Sequence, residues 1–249
     1  MAEPVDRHKR TFRLAYAALA LAFWLSIAGF VVLLMRPNHS APVAWSNWKP
    51  TAQGLLGARE IAQRLGPTYH SQNGTQLAAV QEQLPIYQGT RVAAVGVRRL
   101  GQNGQISPYI GLFQTDRTLI YAFCGLETNC SLPGSSTSVE QRSVRREALE
   151  LSLYAFKYLK NVDQVVSLVQ TVKDGGTSAI FLRKNDLKPE LEHPLRVTLP
   201  LRKPPLNGDR PEAALIYKLT SPNTLPAHFE SLPDGDSILV LDVAATAGG

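Results

Sequence analysis

Two cysteines, two methionines and three tryptophans in 249 residues leave little material for several chemistries at once. Two thiols cannot hold a disulfide-dense scaffold, and without histidine help they make no structural zinc site. Charged residues are only 18% of the chain while apolar residues recur throughout, which excludes disorder for most of it. Eighteen glycines are too few for a collagen, and no heptads run that would make a coiled coil. Neither Gly-x-Gly-x-x-Gly nor Gly-x-x-x-x-Gly-Lys-Ser/Thr occurs, so no phosphate-cradling loop is predicted, and Gly-x-Ser-x-Gly is missing too. His70, His193 and His228 stand apart in the sequence. No catalytic residue, metal ligand or cofactor-binding residue is therefore assigned, and no cofactor is expected.

What the chain does have is one long apolar run near its start. Leu14 to Met35 is 22 residues without a charged side chain. As a helix it spans about 33 Å, enough to cross a hydrocarbon core of ~30 Å. Arg7, Lys9, Arg10 and Arg13 precede it, whereas only Arg36 follows before Lys49. That asymmetry predicts a single-pass protein of the cell membrane, with its N-terminus in the cytoplasm and its C-terminal portion outside. A cleaved signal peptide shares the basic start, but its apolar region is about 7–15 residues and ends at a small-x-small site, which is not evident before Pro37. Length favours a retained anchor. Ala18, Ala22 and Ser26 recur every four residues, a spacing that lets two such helices meet as a homodimer; the plainer reading is that alanine is common in these spans. Trp45 and Trp48 suit either the outer interfacial belt or packing on a folded domain.

The expected organisation is a basic tail over 1–13, a transmembrane helix over 14–35, a Pro-rich linker over 36–50, an exterior domain over 51–243 and a frayed tail over 244–249. Cys124 and Cys130 fall in the exterior portion. An oxidising compartment would join them across a short loop, contributing about 2 kcal/mol at most, with free thiols as the alternative. The exterior portion carries 21 Lys+Arg against 18 Asp+Glu, so half of the whole-chain charge of +6 comes from the flanks of the anchor. No basic stripe interleaved with aromatics occurs, and a nucleic-acid partner is excluded on that ground.

Periodicity predicts a helix from about Thr51 to Leu65, stopped by Gly66-Pro67. Strand-like runs follow at Leu77–Leu84, Arg91–Leu100, Tyr109–Phe113 and Thr118–Cys124, with Gly101-Gln-Asn-Gly104 turning a hairpin. A second helix runs from about Ser138 to Lys160, with Asn161 as a left-handed cap. Val165–Val169 and Ala179–Leu182 are continuous apolar runs, read as central strands. Leu195, Val197, Leu199 and Leu201 alternate with polar residues and predict an edge strand, Pro200 confining it to the edge. Ala214–Leu219 and Ile238–Val243 complete the strands. The fold class is α+β, with a mostly antiparallel sheet and two main helices in the exterior domain.

Ser46-Asn-Trp-Lys49 matches Ser-x-x-Lys, but its supporting motifs are missing and it lies among prolines. Glu190-Leu-Glu192-His193 reads as a solvated loop, and Asp234 and Asp236 lack the further ligands of a calcium loop. Asn38, Asn73 and Asn129 open Asn-x-Ser/Thr triplets that matter only in a eukaryotic secretory pathway. Arg142, Arg145 and Arg146 in the first turns of the second helix are candidates for an anion or partner contact, against a solvated face offset by Glu147 and Glu150. Arg196 and Arg202 on the expected edge strand are candidates of the same kind. The functional expectation is an extracytoplasmic interaction or assembly module of the cell envelope, tethered to the lipid bilayer through residues 14–35 and acting on a protein partner. The alternatives are a tethered hydrolase or transferase whose site forms only in the fold, or a sensor, for which a cytoplasmic tail of 13 residues leaves little room.

Overall fold

A computed structural model of the chain describes residues 7–35, 44–70, 74, 76–83, 86–87, 90–100, 106–124, 138–170, 176–200 and 210–242. Two units are distinguished, Met1–Val43 and Ala44–Gly249. The first contains helix α1 (Arg7–Met35), whose described side chains are exposed throughout. Its Phe12–Val32 segment is long and apolar enough to cross a membrane, a test that a signal sequence also meets. The Ser26 hydroxyl donates to the Ala22 carbonyl of the same helix, so its polarity is satisfied within the turn.

The second unit begins inside the segment read as a linker. Trp45 and Pro50 are buried, and the Trp45 ring lies edge-on to Tyr154 and Tyr158 at 5.4 and 5.5 Å. Trp45 also accepts the Leu195 N–H at its carbonyl and receives the Lys157 ammonium 5.7 Å above its ring. These contacts decide the use of Trp45 in favour of packing on the domain.

Helix α2 (Gly54–Leu65) follows, then strands β1 (Ala79–Gln83), β2 (Ile86–Tyr87), β3 (Thr90–Leu100), β4 (Ile106–Gln114) and β5 (Thr118–Cys124). Helix α3 (Ser138–Tyr158) opens the second half. It ends where Asn161 takes a φ of 60°, the left-handed conformation asparagine tolerates best after glycine. Strands β6 (Gln164–Gln170) and β7 (Thr177–Arg183), short helices α4 (Lys188–Glu192) and α5 (Leu195–Thr198), helix α6 (Pro211–Thr220), and strands β8 (Thr224–Ser231) and β9 (Ser237–Leu241) complete the described elements.

All nine strands join one sheet in the order β1-β5-β6-β7-β8-β9-β3-β2, with β4 also on β3. The pairs β5–β6 and β3–β9 are parallel and the others antiparallel, so the expected α+β class and mostly antiparallel pairing hold. Central positions for β6 and β7 follow from their apolar runs, which are buried on both faces. One face carries Tyr121, Phe123, Val165, Ile180 and Leu182 against α2, α3 and α6. On the other, Ile120, Val166, Leu168 and Phe181 meet inward residues of β3, β8 and β9, such as Val95, Ala227 and Leu239. Phe113 of β4 and Phe181 of β7 lie four places apart along the sheet, yet their ring centroids are 5.0 Å apart. The sheet is therefore rolled, filling its concave face with its own side chains and its convex face with helices.

Two expected strands are helical. Leu195–Thr198 is a turn of α-helix after Pro194, which holds Leu195, Thr198 and Leu199 inward while Val197 is 61% exposed. That is the i, i+3, i+4 spacing of a helix, and it removes the proposed edge strand and with it the alternation assigned to Arg196. Ala214–Leu219 lies within α6, where Pro211 occupies the first turn and Ala213, Ile216 and Thr220 are buried. Strand β8 was missed because Pro226 demotes the run, although Leu225, Ala227 and Phe229 alternate onto the concave core. The Glu190–Glu192 segment, read as a loop, forms α4, and His193 caps it in an extended conformation.

Candidate interaction groove

Arg145 and Arg146 leave α3 about 100° apart, and Arg142, three residues before the one and four before the other, lies between them on the helix surface. Arg142 and Arg145, with Gln141, line a groove of about 550 Å³ whose opposite wall is Ala213, Ala214, Tyr217 and Lys218 of α6. Among the described lining residues none is acidic. The Arg145 Nη1 donates to Thr220 Oγ1 at 3.3 Å and Thr224 Oγ1 at 2.7 Å, and the guanidinium lies 5.5 Å from the centre of the Tyr217 ring. Partial burial lowers the pKa of Arg145, a direction that marks a desolvated cation.

Arg146 turns inward and is 3% exposed. Its Nε donates to Glu212 Oε1 at 2.7 Å, and its Nη1 donates to the Tyr69 hydroxyl at 2.6 Å and to Glu150 Oε2 at 3.1 Å. Burial opposes the Arg146 charge, but Tyr69, Glu150 and Glu212 together hold its pKa above the ordinary arginine value. The Arg146–Glu212 pair ties α3 to α6 beneath the helices that frame the groove, so Arg146 serves packing where Arg142 and Arg145 reach the surface.

Glu147 lies next to it with no exposure, and neither carboxyl oxygen has a hydrogen-bond partner among the described residues. Burial, reinforced by Glu150, raises its pKa well above the usual carboxylate value, because the charged form is disfavoured away from water. Tyr69, buried and hydrogen-bonded to Glu150, is likewise raised, chiefly by desolvation. The expectation that Glu147 belongs to a solvated face is corrected. Arg146 to Leu149 are buried in succession, so α3 is covered on every side at Glu147.

A second polar cluster brings together residues distant in the sequence. His228 and Glu230 are exposed at alternate positions of β8, and Asp242, just past β9, and Arg98 of β3 reach them. His228 Nε2 is 2.9 Å from Glu230 Oε1 and its Nδ1 is 3.3 Å from Asp242 Oδ2, while Arg98 Nη1 is 3.0 Å from Asp242 Oδ1. The i, i+2 spacing of His228 and Glu230 was the available signal. Arg98 supplies the positive charge between the two carboxylates, so the arrangement is a surface ion-pair network. No group of three or more metal-ligating side chains is assembled among the described residues.

Ser46 Oγ is held by the Tyr158 hydroxyl at 2.7 Å and by the Trp48 carbonyl, while Lys49 is exposed. The Ser-x-x-Lys spacing thus belongs to the aromatic packing of the unit's first turn. Arg196 is exposed on α5, and Arg202 lies outside the described residues. Cys124 ends β5 at 5% exposure and is not a free thiol. Cys130, the hairpin turn at 101–104, and Asn38, Asn73 and Asn129 lie outside the described residues. No protein-family model, curated protein or solved structure matches the chain.

Proposed function

We propose that the chain is a single-pass membrane-anchored protein whose second unit stands outside the cytoplasm as an interaction or assembly module of the cell envelope. The observation that carries this reading is the α3–α6 groove, a surface recess with three cations, an exposed tyrosine and no acid among its described lining residues. Arginine and tyrosine are, with tryptophan, the residues enriched at the energetic centres of protein interfaces. The anchor supports the reading by length, and the four positive charges before it set the orientation. In an oxidising space Cys124 bonds with Cys130, the one other cysteine of the chain, as a local staple.

The test is crosslinking of the full chain in its native membrane, beside a variant whose 14–35 span is replaced by a neutral Leu-rich one. A specific protein partner recovered with both forms is the expected result. A partner lost with the native span moves the interface into the bilayer, and recovery of no partner overturns the reading.

A further inference from the structure

We propose that the α3–α6 groove receives a short acidic peptide segment of a protein partner, in which carboxylate side chains alternate with apolar ones. This rests on the interaction-module reading above and names its occupant.

Charge complementarity gives the sign. Arg142 and Arg145 on one wall and Lys218 on the other are the charged lining residues, and Glu212, the nearest acid on α6, is turned away into its bond with Arg146. The charged side chains among the described lining residues are all positive, which favours an anionic occupant. Geometry favours an anion that offers two oxygens side by side, as a carboxylate does. Both described hydrogen bonds of Arg145 use Nη1, fixing the side chain through Thr220 and Thr224 and leaving Nε and Nη2. Those two nitrogens form the parallel fork that fits the two oxygens of a carboxylate. The guanidinium is pre-positioned, so little rotamer entropy remains to be lost on binding.

Apolar surface excludes a bare inorganic anion as the natural occupant. Ala214 is exposed and small, allowing close approach of another backbone, and Tyr217, 60% exposed, offers a ring beside it. A recess of about 550 Å³ is far larger than one phosphate group and falls within the range of ligand-sized clefts. Alternating acidic and apolar side chains satisfy both walls at once: carboxylates reach the cations while the intervening residues cover Ala214 and the tyrosine.

The experiment selects from a random displayed peptide library on the full chain held in lipid nanodiscs, then measures synthetic lead peptides by fluorescence anisotropy. Enriched peptides should carry Asp or Glu spaced by apolar residues, and replacing those acids with Asn or Gln should abolish binding. Arg145→Glu should weaken a lead peptide by about tenfold or more, and Lys218→Glu and Tyr217→Ala each by about threefold to tenfold. Lys218 lies on the exposed face of α6, so its variant stays informative should Arg145→Glu disturb the helix packing. Inorganic phosphate and phosphatidylglycerol vesicles are competing arms. Displacement of the peptide by phosphate alone at low concentration, or by the vesicles, assigns the groove to a simple anion or to lipid and overturns the proposal. So does a selection that yields no acidic peptide, or peptides indifferent to both charge reversals. A crosslinked partner retained by Lys218→Glu, with no peptide bound by the native protein, leaves the module reading standing and removes the groove alone. Peptide binding without any crosslinked partner does the reverse.

Discussion

Glu147→Gln separates the charge of a buried carboxyl from its shape. The native side chain has no exposure and no hydrogen-bond partner on either oxygen among the described residues, and its neighbour Glu150 adds repulsion. Its pKa in the fold is therefore raised well above 4.5, while in the unfolded chain it returns to the ordinary value. A carboxyl with a raised folded pKa contributes no penalty below about pH 4.5, where both states hold the proton. Above that, the unfolded state alone releases it, and the fold loses about 1.4 kcal/mol of stability per pH unit until Glu147 ionises in place. Glutamine cannot ionise, so the variant lacks this slope. Any cost of burying its amide is independent of pH and cancels in the comparison. Urea unfolding of the full chain in a non-ionic detergent, followed by tryptophan fluorescence at several pH values from about 4 to 8, reads the difference. The expected result is that the variant's stability relative to the native protein climbs with pH, by about 1.4 kcal/mol per unit at first. Parallel stability profiles for the two proteins would refute the burial of an unpaired, protonated carboxyl at this position.

Removal of Arg146 as Arg146→Met should cost about 3–5 kcal/mol, since Glu212 and Glu150 lose their shared cation, and adding Glu212→Leu should recover part of it; a double-mutant cycle in urea checks the coupling. Gly57→Ala should destabilise by about 1–2 kcal/mol despite the better helix propensity of alanine, because the new Cβ would lie 2.5 Å from the Ala52 carbonyl oxygen and 2.6 Å from Leu159 Cδ2. Thermal unfolding would show this as a lowered midpoint, and an unchanged midpoint would contradict the close approach of α2 to α3.

The parts of the fold that could be read in advance are those in which one period dominates over many residues. Helix α3 carries apolar residues through 21 positions and ends at an asparagine suited to the left-handed turn, and β5, β6 and β7 are apolar runs too short for helices. Short segments failed because periods of 2 and 3.6 agree over four or five residues. Leu195 and Leu199 share a face in either conformation, and the exposure of Val197 with the burial of Thr198 tells them apart. For α6, proline followed by glutamate at Pro211-Glu212 was a helix-start signal outweighed by a following apolar run. Within the site, the three arginines were recognisable as a group near a helix start. Their division was not, because Arg146 is turned inward by Glu212 and Tyr69, 66 and 77 residues away in the chain. The buried state of Glu147 depends in the same way on tertiary cover that no local pattern encodes.

The most direct test of the functional account places a photocrosslinking amino acid at Tyr217 in the full chain and irradiates intact membranes. The account predicts a discrete adduct with another protein, mapping to a segment rich in Asp or Glu, and loss of that adduct on Lys218→Glu. An adduct with lipid alone, or a protein adduct unchanged by the charge reversal, would contradict it.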